Sequence, residues 1–333
     1  MITIDEKRIF ETISKRKPRA VALNGPEALI SKIQDSANNI TERFGIPVYI
    51  IGDTCWGSCD LNTHAADVIG AETLFNIGHT VAMETFGEKV VMINAYDDAS
   101  FDVVARKCAL GLREKYRSIS LLTDSQHLHQ IACVKKIFEE NDYQVIIGRG
   151  KGQLNDAQVF GCEFYPAYDI QKQIDAYIFL GQSRFHCASI AMSTEKPTFM
   201  LDPYFREYFR INEYAQTLQK KAILSIYKAL DAKRIGIIIG LKEGQFAQVR
   251  ALELKKEFEQ LEKKTQLIAL TDITEDRLQN FKGIDAFVQV ACPRISTDNH
   301  FKKPMLSVPQ ALALIKLLRK EPIDNFLQIR HWL

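Results

Sequence analysis

Seven cysteines are the residues of this 333-residue chain with the clearest capacity for chemistry. Two of them, Cys55 and Cys59, lie in the segment 52–64, which also carries two glycines and two aspartates. The apolar run at 48–51 predicts a buried strand directly before that segment. A loop at the end of a strand combines a rigid base with a mobile set of side chains, which is typical of functional sites. The segment is therefore a candidate for metal chemistry.

Three cysteines follow predicted strands in three different parts of the chain. Cys59 and Cys162 each come after the second strand of their part, and Cys292 comes after the third strand of its part. Three thiolates favour either zinc or an iron–sulfur cluster. The sequence has neither two Cys-x-x-Cys pairs nor the three-cysteine loop of common cluster enzymes. A shared metal centre therefore requires a fold that brings three distant loops together.

The other four cysteines are weaker candidates for metal ligands. Cys108 and Cys133 lie in predicted helices and suit the small buried hydrophobe that a free cysteine usually is. Cys187 stands at a predicted strand exit beside His186, so we rank it second as a ligand. Cys55 shares the first loop with a better candidate four residues later, and we expect it to be a bystander.

The composition excludes several classes of function. A net charge of +2 argues against a general nucleic-acid or membrane partner. No apolar run approaches the roughly 20 residues that span a bilayer. The N-terminal residues are polar and acidic, unlike those of a signal peptide. We therefore expect a cytoplasmic protein, in which an odd number of cysteines does not form a disulfide framework.

Strands and helices alternate in a similar order three times along the chain. The expected strands are 20–23, 48–51, 73–77 and 90–94 in the first part, 118–122, 144–147, 175–180 and 197–201 in the second, and 234–239, 266–270, 285–290 and 304–306 in the third. The longer expected helices are 6–15, 26–44, 63–70, 101–115, 125–141, 244–263 and 309–319. This alternation predicts a mostly parallel sheet in each part.

The predicted fold is α/β, with three similar repeats arranged around a pseudo-threefold axis. Each repeat is expected to be a small, mostly parallel four-stranded sheet flanked by helices. The expected boundaries are 1–105 with Cys59, 106–208 with Cys162, and 209–333 with Cys292 and a C-terminal helix. Right-handed crossovers place the functional loops of such sheets at the C-terminal edge of the strands. Three such edges that face one another would bring the three cysteines together.

Several segments resemble a known family over nearly the whole chain. They are Gly-Ser-Cys-Asp at 57–60, Phe-Asn-Ile-Gly-His at 75–79, Val-Phe-Gly-Cys at 159–162, Phe-Leu-Gly at 179–181 with Phe-His at 185–186, and Val-Gln-Val-Ala-Cys-Pro-Arg-Ile-Ser-Thr-Asp at 288–298. Together they resemble the archaeal diphthamide synthase family, the 2-(3-amino-3-carboxypropyl)histidine synthases. Two segments depart from the pattern: 24–28 matches an early Pro-Glu-Gly segment loosely, and Cys55-Trp56 is unusual.

The resemblance implies a cofactor, a reaction and partners. Cys59, Cys162 and Cys292 would bind a 4Fe-4S cluster between the three units, with S-adenosyl-L-methionine at its open iron. The reduced cluster would cleave the bond from sulfur to the methionine Cγ and give a 3-amino-3-carboxypropyl radical. That radical would add to the imidazole C2 of a histidine in translation elongation factor 2, the first step of diphthamide biosynthesis. The family's archaeal members are homodimers, and the reaction requires a one-electron reductant, which we expect to be a protein.

Seven further residues are expected to contact the cosubstrate, and no catalytic residue is expected beyond the cluster ligands. They are Arg294, Gly78, His79, Gly181, Gln182, Gln289 and Asp298. Arg294 suits a carboxylate clamp because its guanidinium presents a bidentate fork. The two glycines would let a ligand approach the backbone closely. Alternatively, Arg294 is a surface or ion-paired arginine, and His79 makes a structural polar contact instead of binding the cosubstrate.

Three alternative functions stay open from the residues alone. Quinolinate synthase shares a triplicated architecture and a three-cysteine cluster, but its open iron acts as a Lewis acid without a radical. The Cys-Pro-Arg-Ile-Ser stretch at 292–296 fits the diphthamide family better. A non-catalytic accessory subunit of the same fold is a second alternative, although all three cysteines are retained. A zinc site is the third.

Overall fold

The computed structural model describes residues 2–298 and 300–332. Three sheets, each flanked by helices, form most of the molecule. In each sheet four parallel strands lie in the same spatial order, with the second strand of the unit at one edge and then the first, third and fourth. The loops that leave the C-terminal ends of these strands carry the cysteines of interest.

The first unit has, in chain order, the strands β1 (Ile2–Ile4), β2 (Val21–Asn24), β3 (Val48–Ile50), β4 (Thr73–Ile77), β5 (Thr85–Phe86), β6 (Val90–Ile93) and β7 (Ala95–Asp97). Its helices are α1 (Glu6–Arg16), α2 (Ile30–Phe44) and α3 (Thr63–Val68). The sheet order is β3-β2-β4-β6-β5, and β1 pairs with β7 in a separate antiparallel ladder. Strand β4 is buried at every position, as expected for a parallel strand covered on both faces.

The second unit has the strands β8 (Ser118–Thr123), β9 (Gln144–Val145), β10 (Ala176–Leu180), β11 (Thr198–Asp202) and β12 (Glu207–Arg210). Its helices are α4 (Asp102–Leu112), α5 (Ile131–Glu139), α6 (Tyr165–Tyr168) and α7 (Arg184–Thr194). The sheet order is β12-β11-β10-β8-β9. Residues 187–194 of α7 are all buried, so this helix lacks the polar stripe of an amphipathic helix.

The third unit has the helix α8 (Asn212–Lys228) and then the strands β13 (Arg234–Gly240), β14 (Lys264–Leu270), β15 (Ala286–Gln289) and β16 (Met305–Leu306). Its other helices are α9 (Gln248–Gln260), α10 (Glu275–Leu278), α11 (Pro293–Asp298) and α12 (Val308–Leu318). The sheet order is β14-β13-β15-β16. Helix α12 begins with a capping box between Ser307 and Gln310, which satisfies backbone groups of its first turn.

The predicted α/β class and mostly parallel sheets are confirmed. The common strand order is compatible with three repeats, while the pseudo-threefold arrangement and the boundaries 1–105, 106–208 and 209–333 stay predictions. The first two sheets have five strands instead of four, because β5 and β12 add antiparallel edge strands. Before β12, Asp202 Oδ1 accepts hydrogen bonds from the backbone N–H groups of Tyr204 and Phe205, which reverses the chain.

Three helices near the predicted site were not predicted from the sequence. They are α7, α8 and α11. Helix α7 starts three residues after Gly181, and Ser183 Oγ caps it by accepting a hydrogen bond from the His186 N–H. Helix α11 starts at Pro293, a residue that suits the first turn of a helix because its missing N–H has no partner there. The cysteine at 292 therefore precedes a helix instead of lying within an open loop. Among the described residues, no helix has the length and apolar character needed to cross a lipid bilayer.

Phe287 provides a test of how strongly the core supports the strand that leads to Cys292. It is 1% exposed on β15 and packs with Ile238 and Ile268. Phe287→Ala leaves a cavity and should lower the free energy of unfolding by about 3–5 kcal/mol. Urea unfolding followed by circular dichroism measures this. The control Val249→Ala, at a position that is 72% exposed, should change the free energy by less than about 0.5 kcal/mol.

Candidate metal centre

The loop that carries Cys59 connects β3 to α3 and is held by the third unit. The Gly244 N–H donates to the Cys59 carbonyl at 2.9 Å, and Gln245 Nε2 donates to Cys59 Sγ at 3.4 Å. A Cβ on Gly244 would lie 2.5 Å from Cys59 Cα, so a residue without a side chain is required at this contact. The segment 242–245, which follows β13, thus fixes the position of the first predicted ligand.

A buried ion pair strengthens the same contact. Lys242 Nζ donates to Asp60 Oδ2 at 2.5 Å, and the two residues are 9% and 1% exposed. The same nitrogen lies 3.7 Å from Asp272 Oδ1. Burial raises the pKa of Asp60 above its ordinary value, although the hydrogen bond from Lys242 acts against that rise. Burial alone would lower the pKa of Lys242, but the hydrogen bond to Asp60 and the charges of the two aspartates raise it. The lysine therefore stays charged next to Cys59.

The loop that carries Cys162 follows β9 and is held by the end of the chain. The Trp332 N–H donates to the Cys162 carbonyl at 3.0 Å, and the Phe164 N–H donates to the Arg330 carbonyl at 3.0 Å. Between them, Glu163 and His331 form an antiparallel bridge, with His331 Nε2 3.4 Å from Glu163 Oε1. The last described residues therefore act as a partner strand for the ligand loop of the second unit.

The third loop, with Cys292, is held by the side chain of Gln289. Its Oε1 accepts a hydrogen bond from the Ala291 N–H at 2.8 Å. Its Nε2 donates to the Cys292 carbonyl at 2.8 Å and to Ser296 Oγ at 2.9 Å. Gln289 is 1% exposed, and its amide is engaged within its own loop. This arrangement favours a role in shaping the loop over the predicted contact with a cosubstrate.

The three predicted ligands lie close enough to influence one another electrostatically. Burial raises the pKa of the Cys162 thiol well above its ordinary value, and the neighbouring Cys292 and Cys59 raise it further. Burial and the proximity of Cys59 raise the pKa of Cys292 to about 11. Burial also raises the pKa of Cys59, while the hydrogen bond from Gln245 opposes the rise. The fold thus gathers the three cysteines from three units in one region.

This donor set fits a metal cluster better than a set of free thiols. Thiolates are the ligands of zinc and of iron–sulfur clusters, and a bound metal favours the thiolate form. In the described part of the chain, no three His, Cys, Asp or Glu side chains are placed to hold one metal ion. The thiolate ligands of a 4Fe-4S cluster bind different iron atoms, so they need not meet at one point. The three cysteines are therefore compatible with a multi-iron cluster.

Arg294, on α11, lies where the three units meet. Its guanidinium carbon is 5.8 Å from the ring centroid of Trp56 in the first unit and 5.8 Å from that of Phe185 in the second. Its Nε donates to Asp298 Oδ2 at 2.9 Å, and its side chain is half-exposed. The structure therefore places the predicted residues Arg294 and Asp298 together on α11, two and six positions after Cys292. Contacts with aromatic faces hold the guanidinium plane while leaving its edge free to bind.

Two partly buried histidines face the same region. Burial lowers the pKa of His79 to about 4, and burial together with the charges of His79 and Arg294 lowers that of His186 to about 4. The Nδ1 atom of each ring is buried without a hydrogen-bond partner among the described residues. His79 adopts a φ of 49°, and Gly78 before it has a φ of 70°. Both rings are therefore neutral at pH 7, and the Nδ1 atom of each is shielded from solvent.

Gly181 and Gln182 contact polar residues of the second unit. Gln182 is exposed and its Nε2 donates to Asp202 Oδ2 at 2.8 Å. Gly181 has a φ of 135°, and a Cβ there would lie 3.4 Å from Asp124 Oδ2 and 3.5 Å from the His127 ring. These contacts are at the C-terminal edge of the second sheet. The predicted contact of both residues with a cosubstrate stays a prediction.

One expectation about the remaining cysteines is wrong. Cys133 is exposed on the solvent face of α5, with Sγ 3.5 Å from Asp102 Oδ1, whereas we expected it to be buried. Cys108 is buried as expected, and Cys187 is buried within α7. Cys55 is buried too: its thiol donates to the Asp60 carbonyl at 3.3 Å, and burial raises its pKa to about 12. Cys55 therefore has the contacts of a structural thiol.

Sequence reasoning missed the residues that hold two of the ligand loops. These are the segment 242–245 and the chain end at 330–332. Glu243 adds to the contact between the segment 242–245 and the first unit. Its Oε1 accepts hydrogen bonds from the N–H and the Oγ1 of Thr63, both at 2.7 Å. A loop with lysine, glutamate, glycine and glutamine directly after a buried strand was the available signal. The chain end offered no comparable pattern.

Nearly the whole chain is similar to known proteins of one family. The model of the diphthamide synthesis protein family matches residues 25–325. The 2-(3-amino-3-carboxypropyl)histidine synthase of Pyrococcus horikoshii is 27% identical over 328 residues, which cover 97% of this chain and 94% of that protein. Subunit 1 of the Homo sapiens 2-(3-amino-3-carboxypropyl)histidine synthase is 25% identical over 313 residues, which cover 91% of this chain and 70% of that subunit. The crystal structure of Dph2 from Pyrococcus horikoshii with a 4Fe-4S cluster superposes with a TM-score of 0.88 at 26% identity, covering 95% of this chain and 92% of that one.

The buried ion pair between Lys242 and Asp60 can be tested by removing its cation. Lys242→Met leaves the Asp60 carboxylate buried without a counter-charge, which should cost about 3–5 kcal/mol of unfolding free energy. Urea unfolding measures the change. The double variant Asp60→Asn with Lys242→Met carries no buried charge and should recover most of the loss. A single variant as stable as the wild type would show that the pair does not support the loop.

The lowered pKa of His186 predicts that the stability of the folded chain depends on pH. Its pKa is about 4 in the folded chain and about 6.5 when unfolded, so the unfolded chain binds a proton first as the pH falls. The stability contribution is present above pH 6.5 and is lost between pH 6.5 and 4. Relative to His186→Phe, the wild type should lose about 1.4 kcal/mol per pH unit in that window. The non-titrating variant Ser189→Ala, in the same helix, should keep the pH dependence of the wild type. Parallel pH curves for the wild type and His186→Phe would contradict the prediction.

Proposed function

Because this chain belongs to the diphthamide synthesis protein family, we propose that it is a 3-amino-3-carboxypropyl transferase. It would transfer that group from S-adenosyl-L-methionine to the imidazole C2 of a histidine in translation elongation factor 2, the first step of diphthamide biosynthesis. The observation that carries the proposal is the meeting of Cys59, Cys162 and Cys292 from three separate units. The similarity to 2-(3-amino-3-carboxypropyl)histidine synthases over almost the full chain supports it.

The three cysteines would hold a 4Fe-4S cluster as their shared cofactor. The similar structure of Dph2 from Pyrococcus horikoshii includes such a cluster. When bound, the cluster supplies the electron for reductive cleavage of the sulfonium on its 3-amino-3-carboxypropyl side, which makes the transfer a radical reaction. Each ligand loop is fixed by hydrogen bonds at its backbone, from Gly244, Trp332 and Gln289 respectively. Such support around ligands sets their orientation and spacing.

Arg294 would bind the carboxylate of the cosubstrate. Its guanidinium presents two parallel N–H groups to a carboxylate, and the rings of Trp56 and Phe185 limit its movement. Asp298 orients it from the other side through Nε, which leaves the terminal nitrogens to the ligand. Cleavage on one chosen side of a sulfonium requires that the amino-acid arm be held in one direction. The clamp would supply that direction.

His79 and His186 would contribute neutral polar contacts. Their pKa values of about 4 keep both rings uncharged at pH 7, so they add no repulsion toward the positively charged sulfonium. A neutral imidazole has one donor and one acceptor nitrogen. A neutral ring nitrogen of either histidine would contact the amine or carboxylate of the cosubstrate. Gly78, next to His79, adopts a φ of 70°, a conformation that favours glycine.

The proposal includes partners and a setting. The protein substrate would be translation elongation factor 2, and a protein would donate the single electron. We propose a homodimer in the cytoplasm, in keeping with the archaeal diphthamide synthases that the sequence resembles. The exposed Trp56, at the meeting point of the three units, would lie close to the incoming protein.

Anaerobic turnover tests the proposed reaction against its alternatives. The reconstituted protein, incubated with S-adenosyl-L-methionine and dithionite, should release methylthioadenosine. Cys292→Ala should bind less iron and lower this release at least about 100-fold, since loss of a ligand of a metal site costs this much or more. The control Cys133→Ala alters an exposed thiol and should keep wild-type iron and activity.

The alternatives give different results in the same experiment. Iron binding without methylthioadenosine would support a Lewis-acid enzyme or an accessory subunit. Zinc in place of iron would indicate a zinc site. Undiminished activity of Cys292→Ala would contradict the ligand assignment.

A further inference from the structure

Gln245 donates a hydrogen bond to a sulfur atom of the candidate metal centre. Its Nε2 lies 3.4 Å from Cys59 Sγ, and its side chain is buried with 6% exposure. The contact is part-buried, because Cys59 keeps some exposure while the Gln245 side chain is almost fully covered. A sulfur that carries negative charge accepts such a bond more strongly than a neutral thiol does. The hydrogen bond from Gln245 would therefore strengthen when Cys59 is a thiolate.

The direction of this amide is fixed by the backbone around it. The Gln245 N–H donates to the Lys242 carbonyl at 2.9 Å, which closes a tight turn after β13. At the end of β13, a Cβ on Gly240 would lie 3.1 Å from the Gln245 carbonyl and 2.7 Å from the Ala291 Cβ. The turn is thus packed against the residue that precedes Cys292. This packing holds Gln245 between two of the three ligand loops.

The surrounding charges make the hydrogen bond consequential. The Gln245 amide points its partial positive charge at the Cys59 sulfur, 3.4 Å away, next to the buried carboxylate of Asp60. The amide therefore stabilises negative charge on this sulfur. The charged Lys242, bonded to the neighbouring Asp60, acts in the same sense. Hydrogen bonds to ligand sulfurs are among the factors that set the potential of iron–sulfur clusters.

We infer that Gln245 is a positioning residue for Cys59 whose hydrogen bond raises the reduction potential of the 4Fe-4S cluster held by the three cysteines. The inference rests on the proposed function, in which the cluster must accept one electron. That electron comes from the reductant, and no covalent bond forms or breaks in the step. The added charge is shared with the ligand sulfurs, so a donor aimed at Cys59 stabilises the reduced form more than the oxidised form.

Two substitutions at this position test the inference in the full-length, anaerobically reconstituted protein. Gln245→Leu keeps the size of the side chain and removes the donor. Its reduction equilibrium should become about tenfold less favourable, which is about 59 mV for one electron. Gln245→Glu has the same shape with a negative charge and should lower the potential further. The midpoint potential is read from the electron paramagnetic resonance signal of the reduced cluster during titration with dithionite, and iron is counted in each sample.

A matched control separates this effect from a general effect of losing a glutamine. Gln279→Leu, at the exposed residue that follows α10 in the same unit, should leave both iron content and potential at the wild-type values. An unchanged potential in Gln245→Leu with full iron content would overturn the inference. Where Gln245→Leu binds less iron, the potential of Gln245→Glu decides in the same way. Loss of iron from both variants would also overturn it, because the side chain would then serve binding instead of potential.

The proposed function fails by a different result. A wild-type protein with a cluster of measurable potential that releases no methylthioadenosine would contradict the transfer reaction. It would leave the difference in potential between the wild type and Gln245→Leu standing. The two readouts therefore report separately on the reaction and on the hydrogen bond.

Discussion

The contact between the Cys59 loop and the segment 242–245 is the constraint on which the candidate site depends. Asp60 and Lys242 form an ion pair that is almost fully buried, and the same two segments share a backbone hydrogen bond and the amide of Gln245. A buried ion pair persists where its geometry is held, because the loss of either partner leaves an uncompensated charge. Since the partners belong to different units, the position of a predicted ligand depends on how the first and third units pack.

The electrostatics of the site follow from that packing. Burial raises the pKa of Cys59, Cys162 and Cys292, and their proximity raises it further in the last two. Positive charge from bound iron favours the thiolate forms, so deprotonation of the ligands and binding of a cluster are coupled. Burial has the opposite consequence for His79 and His186, whose lowered pKa values keep them neutral. The same burial therefore favours neutral histidines and makes the charge of the thiols depend on bound metal.

Much of the fold could be predicted because parallel strands buried on both faces are continuous apolar runs. The strand predicted at 73–77 is observed at Thr73–Ile77, and the other predicted strands differ by a few residues at their ends. Helix α7 escaped prediction because it is buried on all sides and has no polar stripe. The short edge strands β5 and β12 escaped prediction because turns place them, with little pattern of their own.

The sequence by itself determined the α/β class, the order of the main strands and the placement of one candidate cysteine after a strand in each unit. The tertiary structure alone decided which side chains support those cysteines. Gln245 lies 186 residues from Cys59, and Trp332 lies far along the chain from Cys162, so local periodicity carries no information about either contact. It also decided that Cys133 faces solvent, because the burial of a helical residue depends on what packs against its face. Local apolar pattern sets elements, whereas the meeting of distant loops depends on the packing of whole units.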